Sequence, residues 1–299
     1  MTNVAHNQNI NYIEIINVEN KDLDSLLISK DYKHSIYKHY KDRQLDFQIS
    51  HIKSPEICKR HRNVLLDWLL SIIKKDKYDF TIYYLTVYLL DLVLSKSCVS
   101  LAKFQLLGSA CYWIAQKYHA VYFSDARDLV YYSDHAFSTR DLKAEEQRVL
   151  GILNFEIFLP QLDHFLMYYI YDYKLPPREQ IIINYFALLS TFNHDLQRCY
   201  KNNEIALACI DLTNKLLNKQ DFVFVHIPSY DCNKALLKFI KSYMNTVTVP
   251  DSLKNISIIF DTYLNDINYM NNTAKVKEDN QKRDIQPLHE FIKERVKLL

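Results

Sequence analysis

The residue types that most often catalyse reactions or hold metals are scattered along this chain of 299 residues. No two of the six cysteines form a CxxC pair, and the eleven histidines show no metal-ligand spacing. Patterns such as HExxH, GxSxG, GxGxxG and the Walker loop are absent from the sequence as well. We therefore expect no catalytic residue, no metal and no cofactor, and thiols that are reduced and mostly buried.

Charged residues on otherwise apolar segments are a more informative group. Arg62 and Asp91 fall on predicted apolar helices, where a charge without a partner would be costly, so we expect a structural ion pair between them. Lys117 and Glu146 also fall on largely apolar helix faces, and their long side chains could reach the backbone of a partner protein. The alternative for these two residues is an intramolecular salt bridge that has no role in binding.

Helices must position these charges, because apolar residues recur at helical spacing through the middle of the chain. The stripe that follows Arg62 consists of Val64, Leu65, Trp68, Leu69, Ile72 and Ile73. The whole chain contains only two glycines, Gly108 and Gly151, too few for a set of tight hairpins or for phosphate-cradling loops. We expect an all-α protein, and we exclude Rossmann, P-loop and kinase folds.

Prolines and composition divide the chain into four parts. We expect an N-terminal extension with a helix (1–53), a first helical bundle (54–159), a second bundle (160–262) and a polar C-terminal tail (263–299). Ser54 followed by Pro55 predicts a helix start, and Ser138 with Asp141 resembles a capping box. The dense apolar run at 205–210 predicts a helix that is buried on all sides.

The overall composition is that of a soluble globular protein, with 48% hydrophobic and 24% charged residues. A formal net charge of +2 argues against broad adhesion to nucleic acid. The sequence has no apolar run long enough to span a membrane, and its first twenty residues do not read as a signal peptide. We expect an intracellular protein, nuclear, cytoplasmic or both, without a membrane or direct nucleic-acid partner.

Three short segments resemble the cyclin box of the A- and B-type cell-cycle cyclins. They read RNVLLDWL from Arg62, KFQLLG from Lys103 and AQKY from Ala115, where the family has MRxILxDWL, KLQLxG and ASK[FY]EE. The spacing matches that pattern without a gap from Arg62 to Ile157. The positions that correspond to the family's five hallmark residues are Arg62, Asp91, Leu106, Lys117 and Glu146.

The resemblance implies both a fold and a partner. A divergent cyclin would have the tandem cyclin fold, two stacked five-helix bundles preceded by an N-terminal helix. It would bind a cyclin-dependent protein kinase and hold the kinase αC helix in its active position, without supplying a catalytic group itself. The residues that the resemblance assigns to kinase binding are Lys117, Glu146, Tyr118, Leu150, Phe155 and Ile157.

The resemblance also implies a patch that docks substrates or inhibitors containing an RxL motif. The corresponding positions are His61, Val64, Leu65, Trp68 and Gln105. His61 stands where the family has methionine, which predicts a smaller apolar pocket and weaker docking. The acidic pair that follows the Lys-[FY] of the family is replaced by His119-Ala120, so the choice of kinase is expected to differ.

Three other interpretations stay open at this level. The chain could be a nucleic-acid-associated adaptor similar to transcription factor IIB, although that type usually has a zinc ribbon and a basic face. It could be a pseudo-cyclin that occupies a kinase without activating it. An all-helical enzyme whose active site follows no known pattern is the third alternative.

Overall fold

The computed structural model of the protein describes residues 32–76, 78–219, 224–244 and 288–299. Every regular element in these ranges is helical, which confirms the all-α prediction. The α-helices are α1 (Lys33–Arg43), α2 (Lys59–Asp76), α3 (Phe80–Lys96), α4 (Phe104–His119), α5 (Ala126–Tyr132), α6 (Thr139–Ile152), α7 (Leu162–Asp172), α8 (Pro177–Thr191), α9 (His194–Cys199), α10 (Asn202–Leu216), α11 (Tyr230–Met244) and α12 (Leu288–Leu298), with a 3₁₀ turn (Leu101–Lys103) before α4.

The first bundle consists of α2 to α6 and is built around α3. All residues of α3 from Ile82 to Ser95 are buried, and the helix packs against α2, α4 and α6. Its sequence allows this burial because Asp91 and the terminal Lys96 are its only charged residues. The side chain of Asp79 accepts a hydrogen bond from the backbone N–H of Thr81 and caps the helix. The first bundle therefore has a central apolar helix that carries a single buried acid.

Two of the predicted helix starts have different outcomes. The capping box of Ser138 and Asp141 is present at the start of α6, as predicted. The start predicted at Ser54 is wrong, because α2 begins at Lys59. Ser54 is buried instead, and its Oγ accepts the backbone N–H of Val99 at 2.8 Å. This bond ties the segment before α2 to the segment that follows α3.

The second bundle consists of α7 to α11, and α10 lies at its centre. Residues 205–210 of α10 are at most 3% exposed, so this helix is buried on all sides as predicted. It packs against α7, α8, α11 and α12. The bundles meet where α3 contacts α7. The two-bundle architecture expected from the sequence is therefore present.

The helix that precedes the first bundle, α1, packs on α7 of the second bundle. The ring of Tyr37 stacks on Tyr168 with 4.3 Å between centroids, and its hydroxyl lies 2.9 Å from that of Tyr169. Lys33 forms a salt bridge with Asp172 at 2.8 Å. At the other end of α1, Arg43 pairs with Glu156 at 2.5 Å, just after the first bundle. The N-terminal helix thus contacts both halves of the molecule.

The C-terminal end of the chain is more ordered than its composition indicates. Helix α12 packs on α10 and α11, with Ile292 and Val296 buried. The guanidinium of Arg295 donates a hydrogen bond to the carbonyl of Leu216 at 3.1 Å, at the end of α10. A polar tail was expected over 263–299, and within this range residues 288–298 form α12, which packs on the second bundle. Residues 1–31, 77, 220–223 and 245–287 lie outside the described residues, so the four domain boundaries stay predictions.

Among the described residues, no helix is long and apolar enough to cross a membrane. The same ranges contain no group of three His, Cys, Asp or Glu side chains that could hold a metal ion.

Candidate functional site

Arg62 of α2 and Asp91 of α3 form the ion pair expected between them. Nε and Nη2 of Arg62 donate to the two carboxylate oxygens of Asp91 at 2.7 and 2.6 Å. Both side chains are completely buried. This two-bond geometry satisfies both charges in an environment where either one alone would be costly.

The same arginine also joins the two bundles, which the sequence did not indicate. Nη1 of Arg62 donates to the backbone carbonyl of Thr191, the last residue of α8, at 2.8 Å. The hydroxyl of Tyr83 lies 3.0 Å from Oγ1 of the same threonine. Nearer the surface, Lys59 of α2 forms a salt bridge with Asp195 of α9. Polar contacts of α2 and α3 therefore join the first bundle to the second in two places, in the buried interior and near the surface.

Lys117 at the end of α4 and Glu146 on α6 contact each other. Nζ of Lys117 lies 2.6 Å from Oε1 of Glu146. The lysine side chain is 31% exposed and the glutamate side chain 16%, so the pair is open to solvent on one side. Nζ of Lys117 also lies 3.2 Å from the ring centroid of Trp113, one helical turn earlier. The ammonium group is thus fixed by an acid and an aromatic ring while part of it faces outward.

Several hydrogen bonds to side chains of the first bundle fix the backbone of the loop that follows α4. The backbone N–H of Ser124 donates to Oε1 of Gln116 at 3.0 Å, and Nε1 of Trp113 donates to the Ser124 carbonyl at 2.9 Å. The hydroxyl of Tyr78 donates to the carbonyl of Tyr122 at 3.0 Å. These bonds leave the side chains of Val121, Tyr122 and Phe123 exposed. An apolar segment is therefore held in place beside Lys117.

Asp76, at the end of α2, anchors the same region. Its carboxylate accepts hydrogen bonds from the hydroxyls of Tyr132 at 2.7 Å and Tyr112 at 3.2 Å. Burial raises the pKa of Asp76 above its usual value, although these hydrogen bonds act in the opposite direction. Burial also lowers the pKa of His119, which favours its neutral form.

Of the four apolar positions assigned to kinase binding, Tyr118 is next to Lys117 in the chain, and the other three lie in the last turn of α6 and in the segment that follows it. Leu150 is one turn after Glu146 on α6 and is half-buried. The backbone N–H of Phe155 donates to the Leu150 carbonyl at 2.8 Å, in the turn that ends the helix. Tyr118 follows Lys117 and is 41% exposed, whereas Ile157 packs partly against the core.

Phe155 combines exposure with an uncommon backbone conformation. Its φ is 59° and that of Asn154 is 51°, in the left-handed region that disfavours a bulky side chain. The phenyl ring is nevertheless 70% exposed, so burial of the ring does little to offset the strain. Strained residues of this kind cluster at functional sites.

The five positions assigned to substrate docking line a single surface groove. The groove has a volume of about 580 Å³ and lies between α2 and the start of α4. Its complete lining consists of Arg60, His61, Val64, Leu65, Trp68, Leu101, Phe104 and Gln105. Val64 is 50% exposed and Leu101 44%, so the groove presents apolar surface to solvent.

Gly108 of α4 lies against the side chain of Leu65, which lines this groove. A Cβ atom at Gly108 would lie 2.8 Å from Cδ2 of Leu65, closer than real contacts allow. Because the crowded atoms belong to the end of a flexible side chain, an added methyl group would displace the Leu65 side chain rather than the helices. By contrast, a Cβ at Gly151 would meet no atom within 4 Å.

His61 at the rim of the groove turns its ring toward the backbone that precedes α2. Nδ1 lies 3.1 Å from the carbonyl of Glu56 and 3.4 Å from the backbone nitrogen of Cys58. Its ring therefore contacts polar backbone atoms at a position where the family has an apolar side chain.

Sequence reasoning missed three parts of these sites. Trp113 was detectable, because it precedes Lys117 by four residues and so shares its helix face. Arg60 was detectable on the same ground, because it precedes Val64 by four residues. Leu101 and Phe104 were not, because their place in the groove depends on how α2 meets the 3₁₀ turn and the start of α4. The bond from Arg62 to Thr191 joins residues 129 positions apart, and a backbone acceptor has no sequence signature.

Comparison with known families and proteins agrees with this architecture. Residues 35–158 match the family model described as "Cyclin, N-terminal domain". The G2/mitotic-specific cyclin-B of Spisula solidissima is 27% identical over 246 residues, which is 81% of this chain and 57% of that protein. Cyclin-A1 of Homo sapiens is 32% identical over 167 residues, which is 56% of this chain and 36% of that protein. The chain spans about half the length of the curated relatives it matches.

Two solved structures share the fold. A viral cyclin from herpesvirus saimiri aligns with a TM-score of 0.54 and 17% identity, covering 76% of this chain and 95% of that chain. A chain of the yeast RNA Pol II CTD kinase CTDK-1 complex aligns with a TM-score of 0.53 and 11% identity, covering 82% of this chain and 91% of that chain. The arrangement of helices, the family match and the similarity to A- and B-type proteins agree with one another: residues 35–158 match the cyclin N-terminal domain, and the chain is similar to A- and B-type cyclins.

Proposed function

We propose that this protein is a regulatory subunit that binds a cyclin-dependent protein kinase and activates it. The observation that supports this most is the Lys117–Glu146 pair, which is fixed within the chain yet open to solvent on one side. The side chains of the 121–123 loop and of Tyr118, which is next to Lys117 in the chain, are exposed, and the Phe123 ring lies 6.0 Å from Nζ of Lys117. Phe155, after α6, is exposed as well. A fixed charged centre within an apolar surround is typical of the energetic centre of a protein interface.

The chemistry of the pair suits recognition of backbone groups. The ammonium of Lys117 has three N–H donors, and the carboxylate of Glu146 has an oxygen that Lys117 does not contact. Both residues can therefore bind a partner's carbonyl and N–H groups while they remain paired. Because Trp113 and Glu146 hold the lysine in place, little side-chain freedom is lost on binding.

Activation follows from the behaviour of the kinase αC helix. Catalysis requires an ion pair between a β3 lysine and an αC glutamate, and αC can swing away from that position. A rigid helical surface that binds only the inward position shifts the equilibrium by its differential affinity. The exposed apolar residues around Lys117 are proposed to provide that surface. No catalytic group from this chain is needed for the effect.

A charge exchange tests the binding role of the pair. In the Lys117→Glu, Glu146→Lys double variant, a salt bridge can still form within the chain, but both charges presented to a partner are reversed. We expect affinity for a purified cyclin-dependent kinase to fall by about tens to thousands of fold, as for buried interfacial charges. Isothermal titration calorimetry measures this affinity, and circular dichroism of the free variant shows whether it is folded. Undiminished affinity of the exchanged variant would show that the pair has only a structural role.

A pseudo-cyclin would also bind a kinase, so affinity alone does not distinguish the two functions. The similarity to A- and B-type cyclins gives no reason to expect binding without activation. Phosphorylation of a histone-type substrate by the mixed complex separates them. Binding without stimulated phosphorylation would favour the pseudo-cyclin.

We further propose that the groove beside α2 docks substrates or inhibitors of the bound kinase. Support comes from the apolar lining and from Val64 and Leu101, whose side chains are about half exposed. A labelled peptide with leucine and phenylalanine anchors should bind with roughly micromolar to millimolar affinity. Val64→Ser should weaken binding at little cost in stability, whereas Ile227→Ser, at an exposed apolar position just before α11, should leave binding unchanged. Equal binding to both variants would place the peptide elsewhere.

A further inference from the structure

Charge is distributed unevenly around the docking groove. Of its eight lining residues, Arg60 alone carries a full charge, and none is acidic. Arg60 is exposed, and none of the described carboxylates forms a salt bridge with it. The neighbouring cations of α2 differ, because Lys59 pairs with Asp195 and Arg62 pairs with Asp91. Arg60 is therefore a cation at the groove whose charge is available to a ligand.

The acidic groups near the groove lie outside its lining. The carboxylate of Glu56 accepts the backbone N–H of Leu101 at 2.9 Å. Asp67, on the same helix as Val64 and Trp68, is buried. Farther along α2 the exposed charged residues are Lys74 and Lys75, which are also basic. A basic side chain entering the groove would thus meet Arg60 without a free carboxylate in the lining to offset the repulsion.

We propose that this groove selects peptide segments in which apolar anchors are flanked by an acidic residue, rather than by the arginine of an RxL motif. The inference rests on the proposed docking role of the groove and specifies the chemistry of its ligand. The apolar lining takes the anchors, and the Arg60 guanidinium binds the flanking carboxylate, for which its planar fork is suited. Charge complementarity thereby sets which docking segments are accepted.

Three labelled synthetic peptides test this selection. They share a Leu-Xaa-Phe anchor and differ in one flanking residue, which is Glu, Gln or Arg. With the wild-type protein we expect the Glu peptide to bind about threefold to tenfold more tightly than the Arg peptide, a range set by the strength of exposed ion pairs. The Gln peptide should fall between them. The difference should shrink as the salt concentration is raised.

A charge reversal assigns the effect to Arg60. In the Arg60→Glu variant the Arg peptide should bind more tightly than the Glu peptide, the reverse of the wild-type order. The control is Lys74→Glu, a charge reversal on the same helix outside the groove, which should keep the wild-type order of affinities. A wild-type preference for the Arg peptide, or a preference that Arg60→Glu leaves unchanged, would overturn the inference. In either case binding that still depends on Val64 would leave the docking role intact. If none of the three peptides binds, the docking role and the inference both fail, while kinase binding through Lys117 is unaffected.

Discussion

Replacing Arg62 removes the polar centre that joins α2, α3 and α8. Its guanidinium donates two hydrogen bonds to Asp91, at 2.7 and 2.6 Å, and one to the Thr191 carbonyl, at 2.8 Å. Because both charged side chains are completely buried, Arg62→Ala leaves an ionised carboxylate without a partner. The expected loss in the free energy of unfolding is about 3–5 kcal/mol, a large part of the roughly 5–15 kcal/mol typical of a folded protein.

Urea denaturation followed by circular dichroism measures this loss. Lys59→Ala is the matched control, since Lys59 also joins α2 to the second bundle but through an exposed salt bridge with Asp195. The control should lose less than about 1 kcal/mol. The double variant Arg62→Met, Asp91→Leu should recover much of the loss, because it removes both buried charges together.

The reasoning fails if Arg62→Ala unfolds within about 1 kcal/mol of the parent protein. That result would mean that water reaches Asp91 or that the pair is not buried in solution. A loss as large in Lys59→Ala would equally contradict the distinction between the buried bond and the exposed one.

Three further predictions concern the groove, the strained turn and a buried histidine. Gly108→Ala should displace Leu65 and weaken peptide docking, whereas Gly151→Ala, with free space around its Cβ, should stabilise α6 by up to about 1 kcal/mol in a thermal melt; equal effects would contradict the packing argument. Phe155→Gly should stabilise the free chain by about 1 kcal/mol through relief of the positive φ while weakening kinase binding; a stability loss with unchanged binding would disprove the assignment. Burial lowers the pKa of His194, so below about pH 6.5 the unfolded chain takes up a proton that the folded one resists, and stability falls. His194→Gln should lack that part of the decline in urea midpoints between neutral and mildly acid pH, and an unchanged decline would exclude His194 as its source.

Much of the fold was predictable because its signals are local. The apolar periodicity of α2 and α4 and the capping box of Ser138 and Asp141 each lie within one element. The burial of residues 205–210 was also predictable, because this apolar segment contains no charged residue. Where the prediction failed, a distant contact decided the outcome. Ser54 binds the backbone of Val99 instead of capping a helix, and a proline at the next position does not reveal that partner.

The candidate sites were predictable in their residues but not in their surroundings. Helical spacing placed Lys117 and Glu146 on apolar helix faces with an intramolecular salt bridge as one alternative, and the structure brings them into contact. The loop that presents Phe123 beside them depends on hydrogen bonds that Trp113 and Tyr78 donate and that Gln116 accepts. Such bonds join side chains to backbone atoms, and the sequence specifies only the side-chain half of each.

Kinase stimulation by a chain that lacks the Lys117–Glu146 pair is the most direct test of the proposed function. The measurement is phosphate transfer to a histone-type substrate by a purified cyclin-dependent kinase mixed with the wild type or with the Lys117→Ala, Glu146→Ala variant. Lys215→Ala is the control, because Lys215 pairs with Asp211 at 2.5 Å on the second bundle, away from the proposed interface. We predict that the control stimulates the kinase fully, whereas the double variant keeps its helical content and gives no stimulation. Full stimulation by the folded double variant would contradict the account.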